Sequence, residues 1–129
     1  MMTTLNTQSS YFAEALFEGE YVRLTNLLDP EATIKVQCKS GDRDLGVKYL
    51  RYGEYFEFEF RILFRTLYWC NMRWDNKIHS IKAFDVDRRD NELCQSMCAW
   101  KIKRDGAYLL RETDHAHSSY REYVKLYSW

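Results

Sequence analysis

The segment YFEFEFR, residues 55–61, decides the fold class of this chain because phenylalanine alternates with glutamate along it. A helix would spread the three rings around its circumference. In a strand, successive side chains point to opposite faces, so the rings line up on one side. The alternation therefore predicts a β-strand with its rings in a core and with Glu57 and Glu59 in solvent.

The same period of two recurs before and after this segment. In TIKVQCK, residues 33–39, Ile34, Val36 and Cys38 share one face. Further strand candidates are YVRLTN (21–26), LGVKYL (45–50), TLYWCNMRW (66–74), KIHSIKAFDV (77–86), CAWKIK (98–103), AYLL (107–110) and YVKLYSW (123–129). Turn signals separate them, and Arg88–Leu93 can hold one helical turn. This pattern predicts an all-β fold, a small antiparallel β-sandwich of seven to nine short strands.

Composition excludes several classes of function. The chain has 129 residues, enough for one domain, and its 19 basic residues balance its 19 acidic ones. Zero net charge argues against nucleic-acid binding and against electrostatic membrane binding. No run approaches the roughly 20 apolar residues of a membrane span, so we expect no membrane insertion. We also expect the protein to be a monomer. Residues 1–20 lack the basic and apolar regions of a secretory signal. We expect them to form a loosely ordered leader before a domain at 21–129.

The four cysteines pose a separate question, because Cys94 and Cys98 stand four positions apart. Such a pair can hold a metal, carry redox chemistry or join disulfides. Zinc sites usually use closer pairs such as C-x₂-C, and thioredoxin-like motifs need C-x-x-C; we expect neither metal nor cofactor. If the pair runs into a strand, four extended residues span roughly 13 Å. Disulfide Cα atoms lie only about 4.4–6.8 Å apart.

Each cysteine of that pair is therefore expected to bridge to another part of the chain. Cys38 shares the inward face of its strand, and Cys98 shares a face with Trp100 and Ile102. The favoured pairing joins Cys38 to Cys98 across the core, which leaves Cys70 for Cys94. Four buried free thiols in a cytosolic protein are the alternative.

Several stretches together resemble the plant self-incompatibility S-proteins and the larger group of S-protein homologues. They occur in the order of that family and span residues 22–129. The stretches are VRLTNLL (22–28), CKSGDRDLG (38–46), TLYWCNMRW (66–74), AFDVD (83–87), CQSMCAWKIKRDG (94–106) and the closing YSW.

The resemblance implies a small secreted β-sandwich stapled by disulfides, which acts as a ligand for a cell-surface receptor. The chain also departs from the family pattern. The usual signal peptide is not evident, and Tyr52 replaces the proline expected before Gly53. Many members carry two further cysteines near the C-terminus, where this chain has Tyr108 and Leu126.

We expect recognition to use the loop DVDRRDNEL, residues 85–93. Six charged side chains crowd this loop, two of them arginines, and arginine is favoured at the centres of interfaces. Because the loop should contribute little to the core, reversing its arginines should leave folding intact. The candidate receptor-binding residues are Asp87, Arg88, Arg89, Asp90 and Glu92.

Other functions have weaker support in the sequence. Glu57 and Glu59, about 7 Å apart on one strand face, could form a glycosidase pair, but a solvated strand face explains them more simply. There is no nucleophile motif such as G-x-S-x-G, so we expect no enzymatic activity. His115 and His117 could chelate a metal, although no third ligand is evident. The alternative function is an extracellular glycan or small-molecule binding module that uses a tyrosine cluster, Tyr49, Tyr52 and Tyr55.

Overall fold

The computed structural model describes residues 19–112 and 121–129, which form nine strands and two short helical turns. The strands are β1 (Gly19–Asn26), β2 (Ile34–Lys39), β3 (Asp44–Leu50), β4 (Tyr55–Arg61), β5 (Leu67–Trp74), β6 (Lys77–Asp85), β7 (Met97–Lys103), β8 (Gly106–Glu112) and β9 (Arg121–Ser128). Between β6 and β7 lie a 3-10 turn, Val86–Arg88, and the helix α1, Asp90–Leu93. Most of the predicted leader lies outside the described residues, and its last two residues begin β1.

The strands form two sheets, so the predicted all-β sandwich is confirmed. One sheet has five strands in the order β4-β1-β7-β8-β9, and the other has four in the order β3-β2-β5-β6. All pairings are antiparallel except that of β1 with β7, which is parallel. The prediction of an antiparallel sandwich did not include this one parallel pair.

The core lies between the two sheets, where the alternating apolar side chains meet. Phe58 and Phe60 of β4 are buried, and the Phe60 ring packs against Phe84 with ring centroids 4.8 Å apart. Trp100 joins the layers, because its indole N–H donates to the carbonyl of Ala83 over 2.9 Å. The alternation in residues 55–61 therefore predicted the buried face of β4 correctly.

A buried asparagine fixes the end of the sandwich where β1 finishes. The amide nitrogen of Asn26 donates to the carbonyls of Ala32 and Leu50, both at 2.8 Å, and its oxygen accepts from the Leu28 N–H at 2.9 Å. Nearby, Gly53 turns the chain with a φ of 84° and donates its N–H to the Asn26 carbonyl. We call this the basal end; it carries the loops 27–33, 51–54, 75–76 and 104–105.

The opposite end, which we call the apical end, carries the loops 40–43, 62–66 and 86–96. The last two meet where the Val86 N–H donates to the Thr66 carbonyl over 3.3 Å. Among the helices described in 19–112 and 121–129, none is long and apolar enough to cross a membrane.

Candidate functional site: the apical end

The most exposed large hydrophobic side chain of the described residues lies at the tip of the loop between β4 and β5. Phe64 is 88% exposed and Leu63 is 62% exposed. The guanidinium of Arg65 lies 5.2 Å from the centre of the Phe64 ring, so a cation accompanies the exposed ring. Such a surface loses unfavourable contact with water when a partner covers it.

The tip is held in one shape by its own hydrogen bonds. The Thr66 hydroxyl makes two hydrogen bonds to the backbone of Leu63: it accepts from the N–H and donates to the carbonyl oxygen, both at 2.7 Å. The Thr66 N–H also donates to that carbonyl at 3.1 Å, and Arg65 adopts a left-handed φ of 64°. Because the turn is already ordered, a partner that binds Phe64 avoids part of the entropy cost of ordering a loop.

A depression of about 450 Å³ lies beside the tip, between the loops 40–43 and 62–66. Arginines dominate its charged lining: Arg43, Arg61 and Arg65 stand against Asp42. Arg43 is fixed, because it donates to the Tyr68 hydroxyl at 2.8 Å and to the Glu59 carbonyl at 3.3 Å. The apical end thus combines an apolar tip with a positive surface.

The predicted recognition loop lies beside this tip but is more ordered than the sequence suggested. Asp85 accepts from the Asp87 N–H over 3.0 Å and begins the 3-10 turn, and Arg89 follows with a φ of 69°. Arg89 and Glu92 point into solvent and form an exposed ion pair at 3.0 Å. Asp87 is also exposed. These three residues are therefore exposed at the apical end.

The other two predicted contact residues, Arg88 and Asp90, lie in the interior. Asp90 is fully buried, and its carboxylate accepts from the Arg88 guanidinium at 2.6 Å and from the Asp85 N–H at 2.9 Å. Burial by itself lowers the pKa of Arg88, but the hydrogen bond and the charge of Asp90 raise it above its ordinary value. The expectation that both arginines could be reversed without affecting folding is therefore wrong for Arg88.

Arg88 also ties the loop to the core. The same terminal nitrogen that binds Asp90, Nη2, also donates to the Lys82 carbonyl over 2.7 Å, and the guanidinium lies 5.4 Å from the centre of the Trp100 ring. A charged side chain with this many partners holds the loop in position. The charge pattern of the sequence alone could not distinguish such an internal ion pair from surface charge.

All four cysteines form disulfides, but the predicted pairing is wrong. The bonds join Cys38 to Cys70 and Cys94 to Cys98. Cys38 and Cys70 lie directly opposite each other on the neighbouring strands β2 and β5, with Cα atoms 4.0 Å apart. The predicted partners Cys38 and Cys98 belong to different sheets.

The local bond between Cys94 and Cys98 forms because the segment between them is not extended. Cys94 ends α1, and Gln95 has a φ of 62°, which turns the chain before β7 begins. The two Cα atoms consequently lie 4.9 Å apart, within disulfide range. This bond, rather than a long-range one, fixes the C-terminal side of the recognition loop.

The Asp90 carboxylate lies near this bond, and its oxygen and the sulfurs of Cys94 and Cys98 lie within 4.8 Å of one another. Both sulfurs are used in the disulfide, so the group does not offer the thiolates that zinc prefers. The other metal candidates, His115 and His117, lie outside the described residues. The absence of a metal or cofactor stays a prediction.

The two glutamates of β4 lie on the outer face of the five-stranded sheet. Glu57 pairs with Arg23 at 2.8 Å. The negative charge of Glu59 is the main cause that raises the pKa of Tyr21 beside it. Each carboxylate thus interacts with a strand neighbour, as expected for a solvated sheet face.

The predicted tyrosine cluster is exposed at the basal end. Tyr49, Tyr52 and Tyr55 are 64%, 48% and 54% exposed, respectively. Tyr49 and Tyr55 line a shallow depression of about 560 Å³. Arg23 covers the Tyr55 ring at 4.4 Å from its centre. The structure brings two of the three rings to one depression, so this site remains an alternative.

Sequence reasoning missed the apical tip. The signal was a run of three consecutive apolar residues, Ile62, Leu63 and Phe64, with an arginine on each side. The run lies between the predicted strands 55–61 and 66–74. Leu63 and Phe64 of this run lie in a turn rather than on a strand face, and large exposed apolar groups often mark interaction sites.

Comparison with known proteins places the chain among plant proteins. The family model described as plant self-incompatibility protein S1 matches residues 21–129. Two Arabidopsis thaliana proteins are similar: S-protein homolog 2, 41% identical over 66% of this chain and 56% of that protein, and S-protein homolog 3, 36% identical over 76% and 68%. Self-incompatibility protein S1 of Papaver rhoeas is 32% identical over 67% and 65%. The alignment thus spans little more than half of the first of these relatives.

A solved structure supports the fold. It is described as an SPH (Self-Incompatibility Protein Homologue) protein from a widespread family of small, highly stable, secreted proteins from plants. It superposes with a TM-score of 0.61 over 83% of this chain and 96% of the other, at 18% identity. From the match over residues 21–129 and these relatives, the chain belongs to the plant self-incompatibility protein S1 family.

Proposed function

We propose that this protein is secreted and acts as an extracellular protein ligand for a receptor protein at the plant cell surface. Two relatives support the proposal. One is called a self-incompatibility protein, and a structural neighbour is described as belonging to a family of secreted proteins. The two disulfides fit an oxidising extracellular compartment. The protein acts by binding, as a monomer, rather than by catalysis.

The main observation in favour of the apical tip as the receptor-binding surface is that Phe64 is exposed in a hydrogen-bonded turn. An aromatic ring that is 88% exposed and held by a fixed turn resembles the rigid anchors that dominate interface energetics. Phe64 and Leu63 enter an apolar socket on the receptor in this mechanism. The surrounding arginines face acidic groups at the rim of that socket.

Within the recognition loop, Arg89 is the residue that acts on the partner. It is exposed and stands on the same end of the sandwich as the tip. Charges at the rim of an interface act mainly on the rate of association. Asp87 and Glu92 add charge of the opposite sign, which favours one partner over others more than it raises affinity.

The proposal is tested by the binding of labelled, oxidised protein to intact plant cells. Saturable binding that is lost when the cells are first treated with a protease is the expected result, because the receptor is a protein. Binding that does not saturate, or that survives the protease treatment, contradicts a protein receptor. Detection of the native protein in extracellular fluid tests secretion separately.

A further inference from the structure

The outer face of the four-stranded sheet, the side turned away from the core, carries an uneven distribution of charge. Its side chains form three rows that run across the strands from β3 to β6. The rows are Tyr49, Lys35, Arg73 and Ile78; Val47, Gln37, Asn71 and Ser80; and Asp44, Lys39, Trp69 and Lys82. These three rows thus hold four cations and one carboxylate, in a chain whose net charge is zero.

The carboxylate of this face is already engaged. Asp44 accepts from the Gln37 amide at 2.9 and 3.0 Å and from the Gly46 N–H at 2.9 Å. At the other margin, Lys82 lies 3.8 Å from Asp85. In the part of the chain that the structure describes, neither Lys35 nor Arg73 forms a salt bridge.

Lys35 and Arg73 lie directly opposite each other on β2 and β5, the two central strands of the sheet, near its basal end. Side chains in this relation have Cβ atoms about 4.5–5.5 Å apart, and like charges there destabilise a sheet. Direct charge interaction between the two side chains therefore does not stabilise the sheet. An anionic group placed between the two cations removes the repulsion, which makes the pair a binding feature.

The groups around the pair indicate the kind of anion. Tyr49, 64% exposed, lies opposite Lys35, and the half-buried Trp69 lies opposite Lys39, two rows from the pair on the same face. Flat aromatic rings beside cations suit sugar rings that carry carboxylates. Lys35 and Arg73 are exposed on the outer face of a sheet, and a surface of this kind suits an extended polymer better than a small molecule.

We propose that this face binds a linear acidic polysaccharide, a polyuronate, whose carboxylates lie between Lys35 and Arg73 and whose rings stack on Tyr49 and Trp69. A membrane surface fits less well, because the exposed aliphatic side chains Val47 and Ile78 stand on the two opposite edge strands and do not form one patch. The site is separate from the apical end, and the inference does not rest on the receptor proposal.

The test measures binding of the full chain to fluorescent polygalacturonate in low salt. The double variant Lys35→Gln/Arg73→Gln should bind about tenfold more weakly, which is the expected size for losing two exposed charge contacts. The matched control, Lys101→Gln/Lys103→Gln, removes the same charge from the outer face of the other sheet and should bind like the wild type. Equal binding by both double variants would overturn the proposal.

The polymer has its own controls. Fully methyl-esterified polygalacturonate keeps the sugar chain but loses the charge, and should not bind. Polyglutamate and anionic phospholipid vesicles keep the charge but lack the sugar rings, and should bind at least about tenfold more weakly than polygalacturonate. Binding to polyglutamate or to the vesicles that equals binding to polygalacturonate would overturn the assignment to a polysaccharide.

A second variant separates the site from the fold. Lys35→Glu places a carboxylate opposite Arg73, and opposite charges across strands stabilise a sheet. We expect a melting temperature equal to or slightly above that of the wild type, together with loss of polygalacturonate binding. Retained binding by this folded variant would contradict the role of the pair.

Discussion

Arg88 and Asp90 form an ion pair beneath the recognition loop, with a guanidinium nitrogen 2.6 Å from the carboxylate, although the sequence predicted both as surface contacts. Asp90 is fully buried and Arg88 is only 19% exposed at its side chain. A charge in this position requires its partner, because an unpaired buried carboxylate is costly. The pair therefore belongs to the fold and positions the exposed residue Arg89 between its two members.

This relationship predicts a large loss of stability when one partner is removed. Arg88→Met leaves the Asp90 carboxylate buried without its cation and should cost about 3–5 kcal/mol in the free energy of unfolding. The neighbouring change Arg89→Met, in an exposed pair, should stay within about 0.5 kcal/mol. Urea unfolding of both variants measures the difference, and similar midpoints would contradict the buried role of Arg88.

The disulfides should contribute unequally, because they close loops of different length. The sequence separations are 32 residues for Cys38–Cys70 and 4 for Cys94–Cys98. Loop entropy then gives about 4 kcal/mol for the first bond and about 2 kcal/mol for the second. Paired cysteine-to-alanine variants measured by chemical unfolding test the order of the two values.

Peptide mapping under non-reducing conditions checks the pairing itself. The expected products are one peptide pair linked through Cys38 and Cys70 and one peptide with an internal Cys94–Cys98 bond. A linked peptide that contains Cys38 and Cys98 would show that the cross-sheet pairing expected from the sequence is the true one.

The alternation in β4 predicts opposite effects for neighbouring residues. Phe58 is buried and contacts the rings of Phe56, Phe60 and Tyr68, so Phe58→Ala should cost about 3–5 kcal/mol. Glu59→Ala, on the exposed side, should stay within about 0.5 kcal/mol. Thermal or urea unfolding distinguishes them, and a larger loss at Glu59 would mean that β4 faces the other way.

His79 should make stability depend on pH. Its ring lies 4.1 Å from that of Trp74 and 4.9 Å from that of Trp129. Burial, followed by the charge of Lys77, lowers the pKa of His79, and Asp75 opposes this only partly. The folded state therefore favours neutral imidazole, while the unfolded chain takes up a proton near a pKa of about 6.5.

The sign follows from this difference. Stability contributed by neutral His79 is present above about pH 6.5 and decreases as the pH falls toward the lower pKa of the folded state. In His79→Phe this decrease in stability should be absent when unfolding is measured from about pH 7.5 down to about pH 5. The carboxyl groups of Asp29, Asp44 and Asp105 also have lowered pKa values. The stability that they contribute decreases only below a pH of about 4, which is outside this range. The same pH slope in the variant and the wild type would contradict the role of His79.

The sequence predicted the sheets well because alternation is a local signal. The buried Ile34, Val36 and Phe58 all fall at the expected positions, since a strand can bury only one face in a sandwich. The cysteine pairing failed because it depended on one backbone angle, the positive φ of Gln95, which no periodic pattern reveals. The burial of Asp90 could not be predicted either, because a charged side chain is expected in solvent unless its buried partner is known.

The candidate site was predicted only in part. The loop 85–93 does lie at an end of the sandwich, and Arg89 and Glu92 are exposed there. Phe64 was missed because residues 62–64 show neither the alternation of a strand nor the dense charge that drew attention to the loop 85–93. Its exposure depends on the Thr66 hydroxyl, which binds Leu63 and leaves the ring outside.

The most direct test of the account compares cell-surface binding of Phe64→Ser with that of Tyr52→Ser. Both changes remove one exposed ring, the first at the apical end and the second at the basal end. Phe64→Ser should melt like the wild type and bind intact plant cells at least about tenfold more weakly, as for an interface anchor. Tyr52→Ser should bind normally. Unchanged binding by a folded Phe64→Ser protein, or an equal loss in both variants, would contradict recognition through the apical end.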